Sequence, residues 1–257
     1  EMEAFGNKDI QHRLLFGGVP PYFIAKDLPE ESFKEWIDAY WAKDIQDLFS
    51  VGKRYSFQKF TELLLAKSGG QFEASKFATP CEVSRQTIAN YLAVLEATFV
   101  VHVIRPYSTH KQSEIVSAPK VYGFDTGFVC HARAWRELRQ EDLGLLWEHC
   151  VLNELHGHLQ THDIYYWRDK QGHEIDFVLR NKSDNLSLDI IECKFFSAAT
   201  KDAVTNIKAF RNNYPNGKNF AVANNIDIPS QQRYGDINIC LENPASLVRQ
   251  IMQQGRY

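Results

Sequence analysis

The feature that most constrains this chain is a pair of apolar segments with charged residues inside them. The stretch from Gly172 to Phe195 reads GHEIDFVLRNKSDNLSLDIIECKF, with Asp176 in one apolar run and Glu192 and Lys194 in the next. Short apolar runs of this kind, bounded by turn residues, predict buried strands. An ionised side chain in a buried strand is costly unless a partner compensates its charge. The fold must therefore supply these three side chains with such a partner.

The alternation of side chains along a strand sets which of these residues face the same way. Glu192 and Lys194 are two residues apart, about 6.6 Å along a strand, and share a face. The turn-like NKSDN between the two runs allows a hairpin that sets Asp176 beside Glu192. Close carboxylates raise each other's pKa, and a divalent cation removes that penalty. One or two carboxylates with waters are how Mg²⁺ is held, and a lysine can orient a nucleophilic water.

A third carboxylate comes from the helix predicted over GLLWEHCVLNELHGHL. Leu152, Leu155 and Leu159 follow Glu148 at helical spacing, so Glu148 falls on the apolar stripe that should face the sheet. We therefore expect Mg²⁺, or Mn²⁺ in its place, to be held by Asp176, Glu192 and Glu148, with the catalytic Lys194 beside it. In the alternative, Lys194 simply forms ion pairs with Asp176 and Glu192.

The N-terminal half of the chain is dominated by apolar residues at helical spacing. Residues 30–49 predict one helix with an aromatic core-facing stripe. Residues 53–107 predict a helix, a short helix, a turn and a third helix, and FVVHVIRPY and PKVYGFD then predict two strands. This order is that of a winged helix-turn-helix.

The third helix of this module is the candidate DNA reader. Ser84 is a good N-cap for it, and Arg85, Gln86 and Asn90 are expected to face outward. These residue types suit contacts with base edges in the major groove. The alternative is that the module serves as a protein–protein or interdomain spacer.

The C-terminal half changes character. Residues 144–257 predict a helix, three strands, a helix, two strands and a helix, which is an α/β layer protein. The predicted fold class is thus α/β (α+β overall), with a helical segment over 1–52, a winged helix-turn-helix over 53–130 and an α/β domain over 131–257. We expect no pairing between the strands of 164–195 and residues 99–125.

Composition and missing motifs exclude several classes of function. The net charge of -3 provides no global basic field, so DNA contact would need a local patch. No apolar run approaches the roughly 18 residues that a membrane span needs, and we expect a cytoplasmic protein. The five cysteines are scattered, which makes a zinc site unexpected. Asp125-Thr126-Gly127 spells the aspartic-protease triplet, but no second triplet and no all-β pattern occur, so we expect a structural role for it.

Several stretches of the sequence resemble segments of a known family. These stretches are GGVP, AYWAKDI, NYLAVLEATFVVHVI, PKVYGFDTG, LWEHCVLNEL and YYWRDKQGHEIDFVL. Together they resemble the C-terminal region of archaeal-type AAA+ ATPases, in which a winged helix precedes a nuclease-like domain. Within it, Glu148, Asp176 and Glu192-Cys193-Lys194 resemble the E…D…E-x-K signature of the PD-(D/E)XK restriction-endonuclease-like fold.

The resemblance implies a function for the chain and a partner outside it. It implies a DNA-processing module with a Mg²⁺-dependent phosphodiesterase site, that is, a candidate deoxyribonuclease. The alternative is a non-catalytic DNA- or protein-binding module with a vestigial nuclease fold. An ATPase core precedes this region in such proteins, but the Gly-Lys pairs at 52–53 and 217–218 lack the rest of a phosphate-binding loop. We therefore expect no ATPase activity from this chain, which begins with Glu before its first Met and is expected to be a piece of a longer protein.

Overall fold

The computed structural model describes residues 2, 8–25, 30–40, 45, 53–108, 118–160, 163–180, 187–196 and 200–253. Helices and strands are both abundant, so the protein is mixed α/β. The chain divides into two compact units: residues 1–103 with 119–142, and residues 104–118 with 143–257. The sequence-based boundaries at 52 and 130 differ from this division and stay predictions.

The first unit is mainly helical. Its elements are α1 (Ile10–Phe16), α2 (Pro20–Phe23), α3 (Glu30–Tyr40), α4 (Arg54–Ala66), α5 (Ala74–Ala78), α6 (Arg85–Ala97), the opening residues of β1 (Val101–Pro106), β2 (Lys120–Gly123) and α7 (Thr126–Ala132). The helix predicted over 30–49 is observed to Tyr40, and most of its remainder lies outside the described residues.

The order of elements predicted for residues 53–107 is observed, as helix, short helix and helix followed by a strand. The Ser84 hydroxyl accepts a hydrogen bond of 3.1 Å from the backbone N–H of Thr87, so Ser84 caps α6 as predicted. Ile88 and Leu95 of α6 are fully buried. They share one core with Phe57 of α4 and with the residues of β1 and β2 that lie in this unit.

The aromatic stripe of α3 belongs to the same unit. Tyr40 and Ile45 lie in the core that contains Phe57, and Phe33 packs edge-to-face on Phe128 of α7 at a centroid distance of 4.7 Å. Residues before and after position 52 therefore share buried cores within the first unit, because the helix stripe needs an apolar partner that the short N-terminal segment does not supply alone.

Asp125 has a structural role at the start of α7. Its buried carboxylate caps the helix by accepting the N–H of Gly127 at 2.9 Å, and it also accepts the N–H of Gly18 at 2.7 Å. Gly17 has a φ of +84°, and a Cβ there would lie 1.9 Å from Oδ1 of Asp125. Burial raises the pKa of Asp125, against the opposing effect of Arg13. The triplet at 125–127 therefore has a structural role, as the cap of the helix that follows β2.

The second unit contains most of the strands. Its elements are the end of β1, α8 (Gln140–Leu159, which begins in the first unit), β3 (Ile164–Arg168), β4 (Glu174–Arg180), β5 (Leu188–Cys193), α9 (Lys201–Asn213), β6 (Asn219–Val222), β7 (Ser230–Tyr234), β8 (Ile237–Glu242) and α10 (Pro244–Gln253). The predicted order of helices and strands is confirmed, with one additional strand, β7.

In the second unit the strand order is β1-β3-β4-β5-β6-β8-β7, and both parallel and antiparallel pairs occur. β3, β4 and β5 are antiparallel neighbours, whereas β5, β6 and β8 are parallel. Within the second unit, Arg105 of β1 pairs with Tyr165 of β3. The expectation that residues 99–125 would not pair with the strands of 164–195 was therefore wrong. A strand rich in β-branched residues can pair along both of its edges, and the sequence does not show which strand pairs with the second edge.

The strand β7 was not predicted, and its composition explains why. Its sequence is SQQRY, which has no apolar alternation, and four of its five residues are exposed. It pairs with β8 alone among the described strands. A polar strand at the edge of a sheet is held by backbone hydrogen bonds rather than by buried side chains, so its sequence shows no alternation of apolar residues.

Arg211 of α9 fixes the strands that carry the candidate site. Its guanidinium is buried and donates to the Asn219 side chain at 2.6 Å. It also donates to four backbone carbonyls, those of Leu188, Tyr214, Asn216 and Lys218. These bonds connect the start of β5 to the start of β6, and burial lowers the pKa of Arg211 to about 10.

Candidate metal and active site

The β4–β5 hairpin brings Asp176 and Glu192 together. Phe177 pairs with Ile191 across the two antiparallel strands, and continuing this register by one residue sets Asp176 opposite Glu192. Both side chains are buried, with 7% of Asp176 and 1% of Glu192 exposed. The hairpin predicted from NKSDN therefore places two carboxylates side by side, and most of its loop lies outside the described residues.

Lys194 is the cation between these carboxylates. Its Nζ lies 2.9 Å from Oε2 of Glu192 and 3.9 Å from Oδ2 of Asp176. The lysine side chain is 29% exposed, so the ion pair has one side toward solvent. This three-residue ion cluster is the contact described by the alternative, in which Lys194 forms ion pairs with both carboxylates, and the metal site stays a prediction.

Asp176 has a second, structural contact. Its Oδ2 accepts a hydrogen bond of 2.7 Å from the backbone N–H of Cys193. This bond holds the end of β5 against β4 at the point where Glu192 and Lys194 project from the chain. The Asp176 carboxylate thus orients the neighbouring backbone as well as contributing charge.

Glu192 is the least satisfied member of the cluster. Burial and the adjacent charge of Asp176 raise its pKa to about 8, while Lys194 and the side chain of Asn206 oppose that rise. Its Oε1 is buried and has no hydrogen-bond partner among the described residues. A buried carboxylate oxygen without a donor is costly and is free to bind a proton, a water or a cation. Asn206 of α9 was missed by sequence reasoning, since a polar residue on a helix gives no sign of what it faces.

The negative charge of the cluster also shifts the pKa values of Lys194 and of the neighbouring Cys193. Burial lowers the pKa of Lys194, but the charges of Asp176 and Glu192 outweigh it and raise that pKa above its usual value. Burial, followed by the charges of Asp176 and Glu148, raises the pKa of the Cys193 thiol. Cys193 is therefore a neutral core residue, whereas Lys194 carries the positive charge of the site.

Glu148 lies in α8 and is half-buried. It is close enough to Cys193 for its charge to affect the thiol pKa. Cys193 and Glu192 point to opposite faces of β5, since side chains alternate along a strand. The adjacent Trp147 donates a hydrogen bond of 3.0 Å to the carbonyl of Val222, which fixes α8 on the sheet. The predicted role of Glu148 as a third metal ligand stays a prediction.

The donor set fits a Mg²⁺ ion bound by two carboxylates and waters better than a site with three protein ligands. No group of three or more His, Cys, Asp and Glu side chains in the described part of the chain is arranged to hold a metal ion. Asp176 and Glu192 nevertheless supply two hard oxygen donors, and Oε1 of Glu192 has no other partner among the described residues. Mg²⁺ is commonly held by one or two carboxylates with several waters. Lys194 would have to move away from Glu192 for such an ion to bind.

The candidate DNA-reading residues lie on the outer face of α6, in the first unit. Arg85, Gln86 and Asn90 are all exposed. The Gln86 amide donates to the Asn90 side chain at 3.1 Å, so these two residues form one polar surface. All three side chains are exposed, in keeping with the outward orientation expected of them, and their binding role stays a prediction.

A groove of about 1110 Å³ lies elsewhere in the second unit. Its lining includes Lys208, Lys218, Cys240 and Glu242 and none of the ion cluster. The guanidinium of Arg211 at its wall is fully occupied by hydrogen bonds. Because the clustered charges lie outside this groove, we place the candidate chemistry at Asp176, Glu192 and Lys194.

Comparison with known proteins identifies related sequences of undefined activity. Residues 7–139 match the family model described as "Domain of unknown function (DUF8612)", and residues 143–242 match "Domain of unknown function (DUF4143)". Uncharacterized proteins of Mycobacterium bovis and Mycobacterium tuberculosis are each 28% identical to this chain over 173 residues. These alignments cover 64% of this chain and 39% of each relative, so the chain spans well under half of the relatives it matches. No helix within the described ranges is long and apolar enough to cross a membrane.

Proposed function

The chain belongs to the family described as "Domain of unknown function (DUF8612)", and we propose that it is a DNA-processing module with a Mg²⁺-dependent phosphodiesterase site in its second unit. The observation that carries this proposal is the buried Asp176–Glu192 pair with Lys194 between the two carboxylates. Two hard oxygen donors beside one ammonium are the residue types that metal-assisted phosphodiester hydrolysis needs.

Each residue has a distinct role in this proposal. Asp176 and Glu192 hold the ion, and the Cys193 N–H keeps Asp176 in place through its 2.7 Å hydrogen bond. A bound Mg²⁺ would lower the pKa of a water and stabilise negative charge on the phosphate. Lys194, released from Glu192, keeps a positive charge beside the position of that water and orients it for attack on phosphorus.

The first unit would supply DNA contacts through α6. Arg85 can reach a phosphate or a guanine edge, and the paired Gln86 and Asn90 side chains present both donors and acceptors. A winged helix-turn-helix is the interpretation of the element order from α4 to β2 that the resemblance suggests. We further propose that an ATPase domain acts together with this chain, since the DUF4143 match belongs to a domain often found in AAA-type ATPase-associated proteins.

A second function is favoured by one observation. Lys194 already compensates both carboxylates, and the described residues include no three-ligand group for a metal. In a non-catalytic module the cluster would be a structural ion pair, and the chain would bind DNA or protein without cleaving it.

The deciding experiment measures Mg²⁺ and Mn²⁺ binding by calorimetry, together with cleavage of linear and circular DNA. The variants are wild type, Asp176→Asn and Lys194→Met. The nuclease proposal expects wild type to bind the ion and cut DNA. Asp176→Asn should lose both properties, and Lys194→Met should bind the ion but lose cleavage.

The controls separate chemistry from folding. Asp176→Asn keeps an oxygen that can accept the Cys193 N–H, so its fold should be preserved, and circular dichroism checks this. Arg54→Ala, a change in an exposed ion pair of the first unit, should cut DNA as wild type does. A well-folded wild-type protein that binds neither Mg²⁺ nor Mn²⁺ would establish the structural ion pair instead.

A further inference from the structure

Phe196 is an exposed aromatic side chain two residues beyond Lys194. It is 56% exposed, whereas its neighbour Phe195 is 7% exposed. Two residues of backbone span at most about 7 Å, so Phe196 lies close to the ion cluster along the chain. Single exposed apolar residues are ordinary on protein surfaces, and exposure by itself therefore carries no function. Phe196 differs from other exposed apolar residues in that buried aromatic side chains pack behind its ring.

The Phe196 ring is backed by a series of edge-to-face aromatic contacts within the second unit. Phe196 packs on Phe195 at a centroid distance of 4.8 Å, and Phe195 packs on the buried Trp147 at 5.7 Å. Trp147 is in turn anchored by its hydrogen bond to the carbonyl of Val222. A ring supported in this way loses little conformational freedom when a ligand binds, because its neighbours already restrict it.

The surroundings of Phe196 suit a nucleic acid strand. β4 begins at Glu174 and the antiparallel β5 ends at Cys193, so the start of β4 and the segment after β5 lie at one end of the hairpin. Arg168 is the register partner of Glu174 at this end, and its guanidinium lies 3.7 Å from the Glu174 carboxylate. The Arg168 side chain is 48% exposed, so it stays accessible to a phosphate. Lys194 is partly exposed at the same end. Cationic side chains beside an aromatic ring are the combination that binds single strands.

We infer that Phe196 stacks on an unpaired base next to the phosphate that the ion cluster addresses. This inference rests on the proposed nuclease function and adds a substrate class to it, namely single-stranded DNA or a duplex with an unpaired end. Stacking on an aromatic face tolerates any base, so we expect little sequence preference from this contact.

The test measures binding by fluorescence anisotropy in EDTA, where no cleavage occurs. One probe is a labelled single-stranded DNA of mixed sequence, and the other is a strand of equal length built from abasic sugars. Phe196→Ala should bind the first probe about 5- to 150-fold more weakly than wild type, the loss expected for one base stack. Phe196→Trp should retain wild-type affinity. On the abasic strand all three proteins should bind equally.

The matched control is Phe99→Ala, which removes a phenylalanine of similar exposure, 63%, in the first unit. It should bind both probes as wild type does. Equal affinity of wild type and Phe196→Ala for the base-containing strand would overturn the inference, and so would an equal loss on both probes. Cleavage in Mg²⁺ is measured separately. A base-dependent loss in Phe196→Ala without any wild-type cleavage would reject the nuclease proposal and keep the stacking contact.

Discussion

The ammonium of Lys194 lies 2.9 Å from Oε2 of Glu192, while the other oxygen of the same carboxylate is buried and has no hydrogen-bond partner among the described residues. Lys194 thus compensates one oxygen of the carboxylate, and within the described residues the side chain of Asn206 is the other polar group that lowers its pKa. A purely structural ion pair gains most when all of its polar atoms are satisfied. The open oxygen is therefore the feature that most directly favours a binding role for this cluster.

Replacing Asp176 should separate its structural contact from its charge. Asp176→Ala leaves the buried N–H of Cys193 without its acceptor, and we expect a loss of about 1–3 kcal/mol in the free energy of unfolding. Asp176→Asn keeps an acceptor and removes the charge next to Glu192, so its stability should stay within about 1 kcal/mol of wild type. Urea denaturation at constant pH measures both changes.

Clustered carboxylates repel each other, so sequence reasoning alone predicts that Asp176→Ala leaves the fold intact. The hydrogen bond to the Cys193 N–H adds a cost that this reasoning did not include. If Asp176→Ala and Asp176→Asn prove equally stable, the backbone contact contributes nothing and the repulsion argument alone is sufficient.

Glu192 should make the stability of the protein depend on pH. Its pKa in the folded protein is about 8, above the usual value of 4.5, so between these values the folded state binds more protons than the unfolded state. The free energy of unfolding should then fall as pH rises through this window, by at most about 1.4 kcal/mol per pH unit. Glu192→Gln should remove that component. Thermal or urea unfolding of both proteins at several pH values tests this.

The comparison is differential, because other groups titrate in the same range. Stability is expressed as the difference between wild type and Glu192→Gln at each pH, and this difference should decline from pH 5 to pH 8 and level off above it. Parallel curves for the two proteins would show that Glu192 does not titrate in this window.

Lys194 should stabilise the protein most at high pH. Lys194→Met removes the cation that opposes the rise in the Glu192 pKa, so charging Glu192 becomes more costly. At pH 6 the Glu192 carboxyl can stay protonated, so Lys194→Met should lower the free energy of unfolding only slightly. At pH 9 we expect Lys194→Met to lower the free energy of unfolding by about 1–3 kcal/mol. This loss is below the 3–5 kcal/mol typical of a fully buried pair, because Lys194 is partly exposed.

A double-mutant cycle provides the control for Lys194. Lys194→Met combined with Glu192→Gln removes both charges of the 2.9 Å pair, and most of the loss at pH 9 should be recovered. Losses that simply add in the double variant would mean that the two side chains do not interact energetically.

Arg85→Ala should weaken binding to duplex DNA if α6 enters the major groove. Arg85 is exposed at the start of α6. The loss of one phosphate contact should reduce the slope of log affinity against log salt concentration by about 1, and the loss of a base contact should cost about 1–3 kcal/mol. Anisotropy titrations at several salt concentrations provide both quantities.

Arg54→Ala is the matched arginine variant for this experiment, since Arg54 already pairs with Asp38 at 2.8 Å on the surface of the same unit. It should change neither affinity nor salt slope appreciably. Unchanged DNA binding in Arg85→Ala would assign α6 to contacts with protein.

Local pattern was sufficient for much of the first unit. The Ser84 cap depends only on residues within one helix and was predicted, and the buried Ile88 and Leu95 of the same helix follow the helical period. Helical period and capping act over a few residues, so a short window of sequence contains the whole signal. The polar strand β7 carries no such signal and was missed.

The same distinction applies to the candidate site. Alternation along an extended chain has a period of two residues, so the sequence was enough to predict that Glu192 in β5 and Lys194 just beyond its end point the same way. Strand pairing in the folded protein sets the register that puts Asp176 opposite Glu192 and lets Asp176 accept the Cys193 N–H. The fold also makes Lys194 pair more closely with Glu192 than with Asp176. It also left Oε1 of Glu192 buried and placed Asn206 near that carboxylate. These relations join residues distant in the chain, so they depend on strand register and on competition among partners, which no local pattern encodes.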